Sequence, residues 1–142
     1  MPTNLNELIA PVFYKLHHQI KNHEYTHYWL RGGRGSTKSS LISIEIILGM
    51  MRNPDYNAIV FRKVGYYLKD SVYEQLIWAI DKLGVDDFWK ISLSPLGLIY
   101  KPTGQRIVFR GCDDPKKSKS VKLRKGYFAY CWFNFSDQLK LF

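Results

Sequence analysis

The chain has 142 residues, 46% hydrophobic and 15% aromatic, enough for one folded domain and too apolar for a disordered one. A formal charge of +9 makes a polyanionic partner plausible and excludes an acidic, solvating chain. No apolar run reaches the roughly 18 residues that cross a bilayer, and no signal-peptide profile opens the sequence, which reads as soluble and intracellular.

Residues 1–24 carry Leu5, Leu8, Ile9, Val12, Phe13, Leu16 and Ile20 at helical spacing, split by Pro11. This predicts a short helix from about Pro11, or a kinked pair. Residues 25–30, aromatic and β-branched, predict a first core strand. The next stretch is Arg31-Gly32-Gly33-Arg34-Gly35-Ser36-Thr37-Lys38-Ser39-Ser40, followed by an apolar helix over 41–51. Strand, glycine-rich turn, Lys-Ser and helix is the layout of a phosphate-binding loop. Gly32, Gly33 and Gly35 let backbone N–H groups turn inward, and the helix N-terminus adds its positive dipole end. In that reading Lys38 reaches the β- and γ-phosphates of a nucleotide and the Ser39 hydroxyl ligates Mg²⁺. Thr37 stands where the second glycine of the usual pattern sits. The competing reading is a glycine-rich turn with a solvated lysine.

The helix over 41–51 is apolar on most sides, with Ser43 and Glu45 as polar interruptions, so it should pack against a sheet. Residues 57–62 follow as a strand buried on both faces, and the β–α–β unit predicts a parallel pair. Ser71-Val72-Tyr73-Glu74 reads as a capping box opening a helix that stops at Gly84, with Val72, Leu76, Ile80 and Leu83 inward. Residues 89–94 and 98–101 are short strand candidates; Pro102-Thr103-Gly104 is a turn, and 98–110 a hairpin. A basic loop over 113–125 precedes a nearly all-apolar central strand at 127–133, after which only nine residues remain. Cys112 and Cys131 lack metal-ligand spacing and read as reduced thiols. His17, His18, His23 and His27 form no ligand set and read as structural or solvated.

From Lys101 to Lys125 nine basic residues stand against two acids, a net +7. That concentration favours a sequence-independent contact to DNA phosphates, with Lys116, Lys117, Lys119, Lys122, Arg124 and Lys125 as candidates against the alternative of a charged solvated loop. Arg62 and Lys63, at a strand's carboxyl end, could sense nucleotide, touch DNA or be solvated.

The glycine-rich loop at 32–40 resembles the P-loop of the large terminase subunits of tailed bacteriophages. Arg62-Lys63-Val64, Asp70-Ser71-Val72-Tyr73, Tyr100-Lys101-Pro102-Thr103-Gly104 and Phe109-Arg110-Gly111-Cys112-Asp113-Asp114-Pro115 fit that family in the same order. The resemblance implies an α/β P-loop NTPase domain of the RecA/ASCE kind, with a mainly parallel sheet flanked by helices and an antiparallel hairpin. It implies ATP and Mg²⁺ as cofactors, packaging of double-stranded DNA into a procapsid, and a terminase small subunit and portal protein as partners. The setting would be the host-cell cytoplasm, with a phage or prophage source. Residues 1–142 then form a single, incomplete ATPase domain, with no room for the family's C-terminal RNase H-like nuclease. Arg34 becomes a candidate cis arginine finger, with a plain surface arginine as the alternative.

One departure bears on turnover. Where the family's central strand ends in two acids, this chain has Asn134 and Phe135. Asp137 is the nearest acid beyond the strand, and Asp113-Asp114 belong to a separate loop of the family. Three readings follow: a disrupted terminase ATPase, a remnant that binds without turnover, and an unrelated small P-loop kinase. The kinase is disfavoured, since neither a substrate-phosphate lid nor an acceptor base is visible.

Overall fold

The computed structural model describes residues 14–24, 26–29, 38–62, 72–93, 96–111, 123, 125–133 and 138–141. In chain order these form α1 (Tyr14–Lys21), β1 (His27–Trp29), α2 (Lys38–Arg52), β2 (Tyr56–Arg62), α3 (Val72–Lys82), a 3₁₀ turn (Asp86–Phe88), β3 (Trp89–Leu93), β4 (Leu96–Tyr100), β5 (Gln105–Gly111), β6 (Tyr127–Phe133) and β7 (Gln138–Leu141). The predicted first helix is seen as α1; its expected start near Pro11 lies outside the described residues. None of these helices is long and apolar enough to cross a membrane.

The strands make one seven-stranded sheet in the order β1-β7-β6-β2-β5-β4-β3. Only the central pairs β2–β5 and β2–β6 are parallel; β1–β7, β6–β7, β4–β5 and β3–β4 are antiparallel. The sheet is therefore mixed, not mainly parallel as expected. The reason lies in the connections. Two residues separate β3 from β4, and four separate β4 from β5 and β6 from β7. Links that short allow a hairpin, whereas a parallel neighbour needs a crossover of a dozen residues or more. A second correction concerns the first β–α–β unit. β1 and β2 point the same way but are not paired, because β7 and β6 lie between them.

One face of the sheet carries the main core. Ala58, Val60, Ile107, Phe109, Trp132 and Leu139 meet α2, whose residues 41–47 are all buried, and α3 adds Val72, Tyr73, Leu76 and Ala79. Alternation puts Ile59, Val108 and Cys131 on the other face, with Phe61 stacked on Phe133 at 5.4 Å. β2 is thus buried on both faces, as its unbroken apolar run predicts. The polar interruptions of α2 are interior as well. Ser43 donates to the Ser40 carbonyl at 2.8 Å, and Glu45 is hydrogen-bonded to the buried His17 of α1. Burial pushes the Glu45 carboxyl above its usual range, with His17 opposing. Gly49 seats α2 on β6: a Cβ there would overlap the Tyr130 hydroxyl.

Candidate nucleotide-binding site

The parallel strands decide where a site can form. Register pairs Phe61 with Phe133 and Arg62 with Gly111, so β2, β5 and β6 finish side by side. β1 runs in the same direction and finishes at the same edge, with Trp29 facing Gln138 of β7. Residues 30–37, 63–71, 112–122 and 134–137 all leave from these four carboxyl ends. In α/β sheets that edge is where ligands bind.

α2 opens at this edge with Lys38-Ser39-Ser40. Its first turn holds no acid, so nothing there offsets the positive end of a 15-residue helix. The first-turn amides have no intrahelical partner and suit an anion. Ser39 and Ser40 are half-buried. Ser40 is braced by α3: the Gln75 side-chain amide donates to its Oγ at 3.3 Å. Nothing in the sequence marks Gln75, because contact between two helices leaves no local signal. Gly32, Gly33, Arg34, Gly35, Ser36 and Thr37 lie outside the described residues, as does the Lys38 side chain.

Arg110 is the charged group described nearest the ends of the central strands. It is half-buried one residue before the end of β5, donating from Nη1 to the Phe109 carbonyl at 2.8 Å. Its Nε has no partner among the described residues. Burial lowers its affinity for a proton, with neighbouring Arg106 adding to the effect.

The remaining candidates divide. Lys116, Lys117, Lys119, Lys122 and Arg124 lie outside the described residues, as do Lys63, Asp113, Asp114, Asn134, Phe135 and Asp137. Lys125 is described, and it sits at the opposite, amino-terminal edge of the parallel strands. It precedes the amino end of β6, with Nζ 3.6 Å from Asp55 Oδ1, and both side chains are exposed. Cys131 is buried, its thiol pushed up to about 11 chiefly by desolvation, which makes it inert.

Comparison with known proteins points to one family. A family model described as phage terminase large subunit matches residues 22–141. The chain is 44% identical over 128 residues to "Terminase, large subunit" of Bacillus phage SPP1, covering 90% of this chain and 30% of that protein. It is 36% identical over 102 residues to "PBSX phage terminase large subunit" of Bacillus subtilis (strain 168), covering 72% of this chain and 23% of that protein. The chain thus spans less than a third of the length of these curated relatives. With its central parallel strands, glycine-rich loop and Lys-Ser helix start, the chain belongs to the phage terminase large subunit family.

Proposed function

We propose that this chain is the ATP-binding motor portion of a terminase large subunit, acting in the host cytoplasm to drive double-stranded DNA into a procapsid. The observation that carries this is the start of α2: Lys38, Ser39 and Ser40 open an acid-free helix end at the carboxyl edge of the sheet. An acid-free amide terminus with a lysine and a hydroxyl fits a triphosphate and its divalent ion. Lys38 would hold phosphate oxygens, and Ser39 would supply the protein's hydroxyl ligand to Mg²⁺, which neutralises charge on the phosphates when bound. In this reading the backbone amides of residues 32–37 would complete the cradle, and Arg34 would stabilise charge on the phosphoryl group in transfer. Titrating Mg·ATP into the protein and into Lys38→Ala tests this. The substitution should weaken binding tenfold or more, about 1.4 kcal/mol. Equal affinities would remove the nucleotide assignment.

DNA is the second ligand of this reading. The segment carrying Lys116, Lys117, Lys119 and Lys122 leaves from the carboxyl end of β5, at the edge of the sheet where α2 opens. Duplex DNA of any sequence should bind with affinity falling linearly in log salt. Changing Lys116, Lys117 and Lys119 to Ala should flatten that slope by up to about three units. An unchanged slope would make these lysines solvated. The terminase small subunit and the portal protein are the protein partners of the same reading.

A second reading, binding without turnover, is favoured by one observation: β6 runs into Asn134-Phe135. Hydrolysis needs a group to position and polarise water, a role worth roughly 10²–10⁴ in rate. A phenyl ring cannot accept that proton. Phosphate release with Mg·ATP and DNA should therefore be slow or absent. Robust release that vanishes in Lys38→Ala would restore full catalysis and make Asp113, Asp114 or Asp137 the acid to find.

A further inference from the structure

The sheet ends at β3, on the side away from β1. There α3, the 3₁₀ turn and β3 form a groove of about 320 Å³. Its apolar surface includes Ile77, Trp78, Trp89 and Ile91, and Glu74, Asp81 and Asp86 border it. Ile91 is 51% exposed, and Phe88 of the adjoining turn is 49% exposed, so apolar surface stays in water at the sheet's edge. The Trp89 indole N–H is buried without a hydrogen-bond partner among the described residues.

The charge is the informative part. The chain carries +9, yet among the described residues three acids and no cation line this groove. Seven acids are described in all, and the two that are ion-paired with a described residue lie elsewhere. Glu45 is buried on His17, and Asp55 faces Lys125. None of the three groove acids is ion-paired with a described residue. Three carboxylates around tryptophan and isoleucine repel a nucleic acid and attract a cation with an apolar body.

We propose that this groove docks a basic amphipathic segment of a second protein, seating one bulky apolar side chain against Trp78 and Ile91 while flanking Lys or Arg residues meet Glu74, Asp81 and Asp86. The volume admits a large side chain, not the face of a folded domain. A single apolar anchor with paired rim charges gives the affinity of a transient contact, sensitive to salt. Docking here requires no bound nucleotide.

The test uses two fluorescein-labelled synthetic amphipathic peptides, one of leucine and lysine and the other with glutamate replacing lysine. Their binding to the full chain is read by fluorescence anisotropy. The lysine peptide should bind the unchanged protein, and the glutamate peptide should not. Asp81→Lys with Asp86→Lys should raise the Kd of the lysine peptide at least about tenfold and admit the glutamate peptide. Ile91→Asn should also weaken the lysine peptide, with the urea midpoint unchanged because this side chain is exposed. Asp55→Asn, at the amino end of β2, should leave binding as it was. No binding, equal binding to the charge-reversed protein, or indifference to Ile91→Asn would each overturn the proposal. Sedimentation velocity covers a different occupant: self-association abolished by Asp81→Lys with Asp86→Lys would assign the groove to a second copy of this chain, and the proposal would fall.

Discussion

The two ends of the central parallel strands are built differently. At the amino ends, buried side chains tie neighbouring backbones together. Asn57, 1% exposed, donates to the Lys125 and Tyr127 carbonyls at 3.0 and 3.2 Å and accepts from the Arg106 N–H at 2.9 Å, joining β6, β2 and β5. It sits where the β2–β6 register slips, leaving Ala129 as the extra residue. Gln105 likewise donates to the carbonyls of Met50 and Tyr56 at 2.8 and 2.6 Å, tying the end of α2 to the sheet. At the carboxyl ends the strands instead give off four segments, among them the glycine-rich loop and the start of the basic stretch. Clamping one end leaves the other free to carry residues chosen for chemistry rather than for packing.

That contrast can be broken by exchanging stability for function. Asn57→Leu should cost the most, about 3 kcal/mol, because it strands a buried N–H and two carbonyls at the register slip. Urea unfolding measures this, and a loss below about 1 kcal/mol would mean that water replaces the amide. Ser39→Ala at the opposite edge should change stability by no more than about 0.5 kcal/mol while lowering Mg·ATP affinity about tenfold. If the two substitutions had the same profile, the ends would not be specialised.

Gly49→Ala comes next. Alanine favours an isolated helix by about 1 kcal/mol over glycine. Here its Cβ would overlap the Tyr130 ring, which is 2% exposed and cannot swing away. A net loss of about 1–3 kcal/mol is expected. A thermal melt that rises instead would show that α2 can lift off β6.

The sequence made the local features legible and left the long-range ones hidden. β6 runs over Tyr127–Phe133 as predicted from its apolar run, and α3 from Val72 to Lys82 follows the predicted helix. Gly84, at φ 70°, ends α3 as its glycine signal predicts. The β4–β5 hairpin turns at Gly104, with φ 81°. β7 escaped, although Leu139 and Leu141 are buried with Lys140 between them, because four alternating residues near a chain end carry little weight alone. Missing β7 also hid the sheet order, since β7 is the strand between β1 and β6. Nothing local marks Asn57, Gln105 and Glu45 as buried tethers, because their partners lie dozens of residues away. The site shows the same division. Lys38-Ser39-Ser40 is proposed from a local motif at the start of α2, whereas the Gln75 brace on Ser40 carries no local signal.

The smallest expected effect sharpens the comparison at the clamped end and is read through pH. His23 follows α1 with φ 52°, a left-handed conformation that suits Asn or Gly better than most side chains. Its ring lies 5.6 Å from Tyr56, the first residue of β2, and 6.2 Å from Tyr130. Burial, then the Arg52 cation, hold its imidazole below the usual 6.5. Between the lowered folded value and 6.5, the unfolded chain binds more protons than the folded one, so stability rises with pH across that window. The contribution is complete above 6.5 and is lost as pH falls through the folded value. His23→Asn keeps the backbone conformation and removes the titration. At about pH 7.5 the variant should be slightly less stable, having lost the ring contacts. Toward about pH 5 the gap should close or reverse, because only the original protein is penalised for an imidazole that resists its proton. Urea midpoints for both proteins across that range isolate the imidazole, since every other titrating group is shared. Parallel pH profiles would show that the ring at the foot of β2 is solvated, and that Asn57 and Gln105 close that end without it.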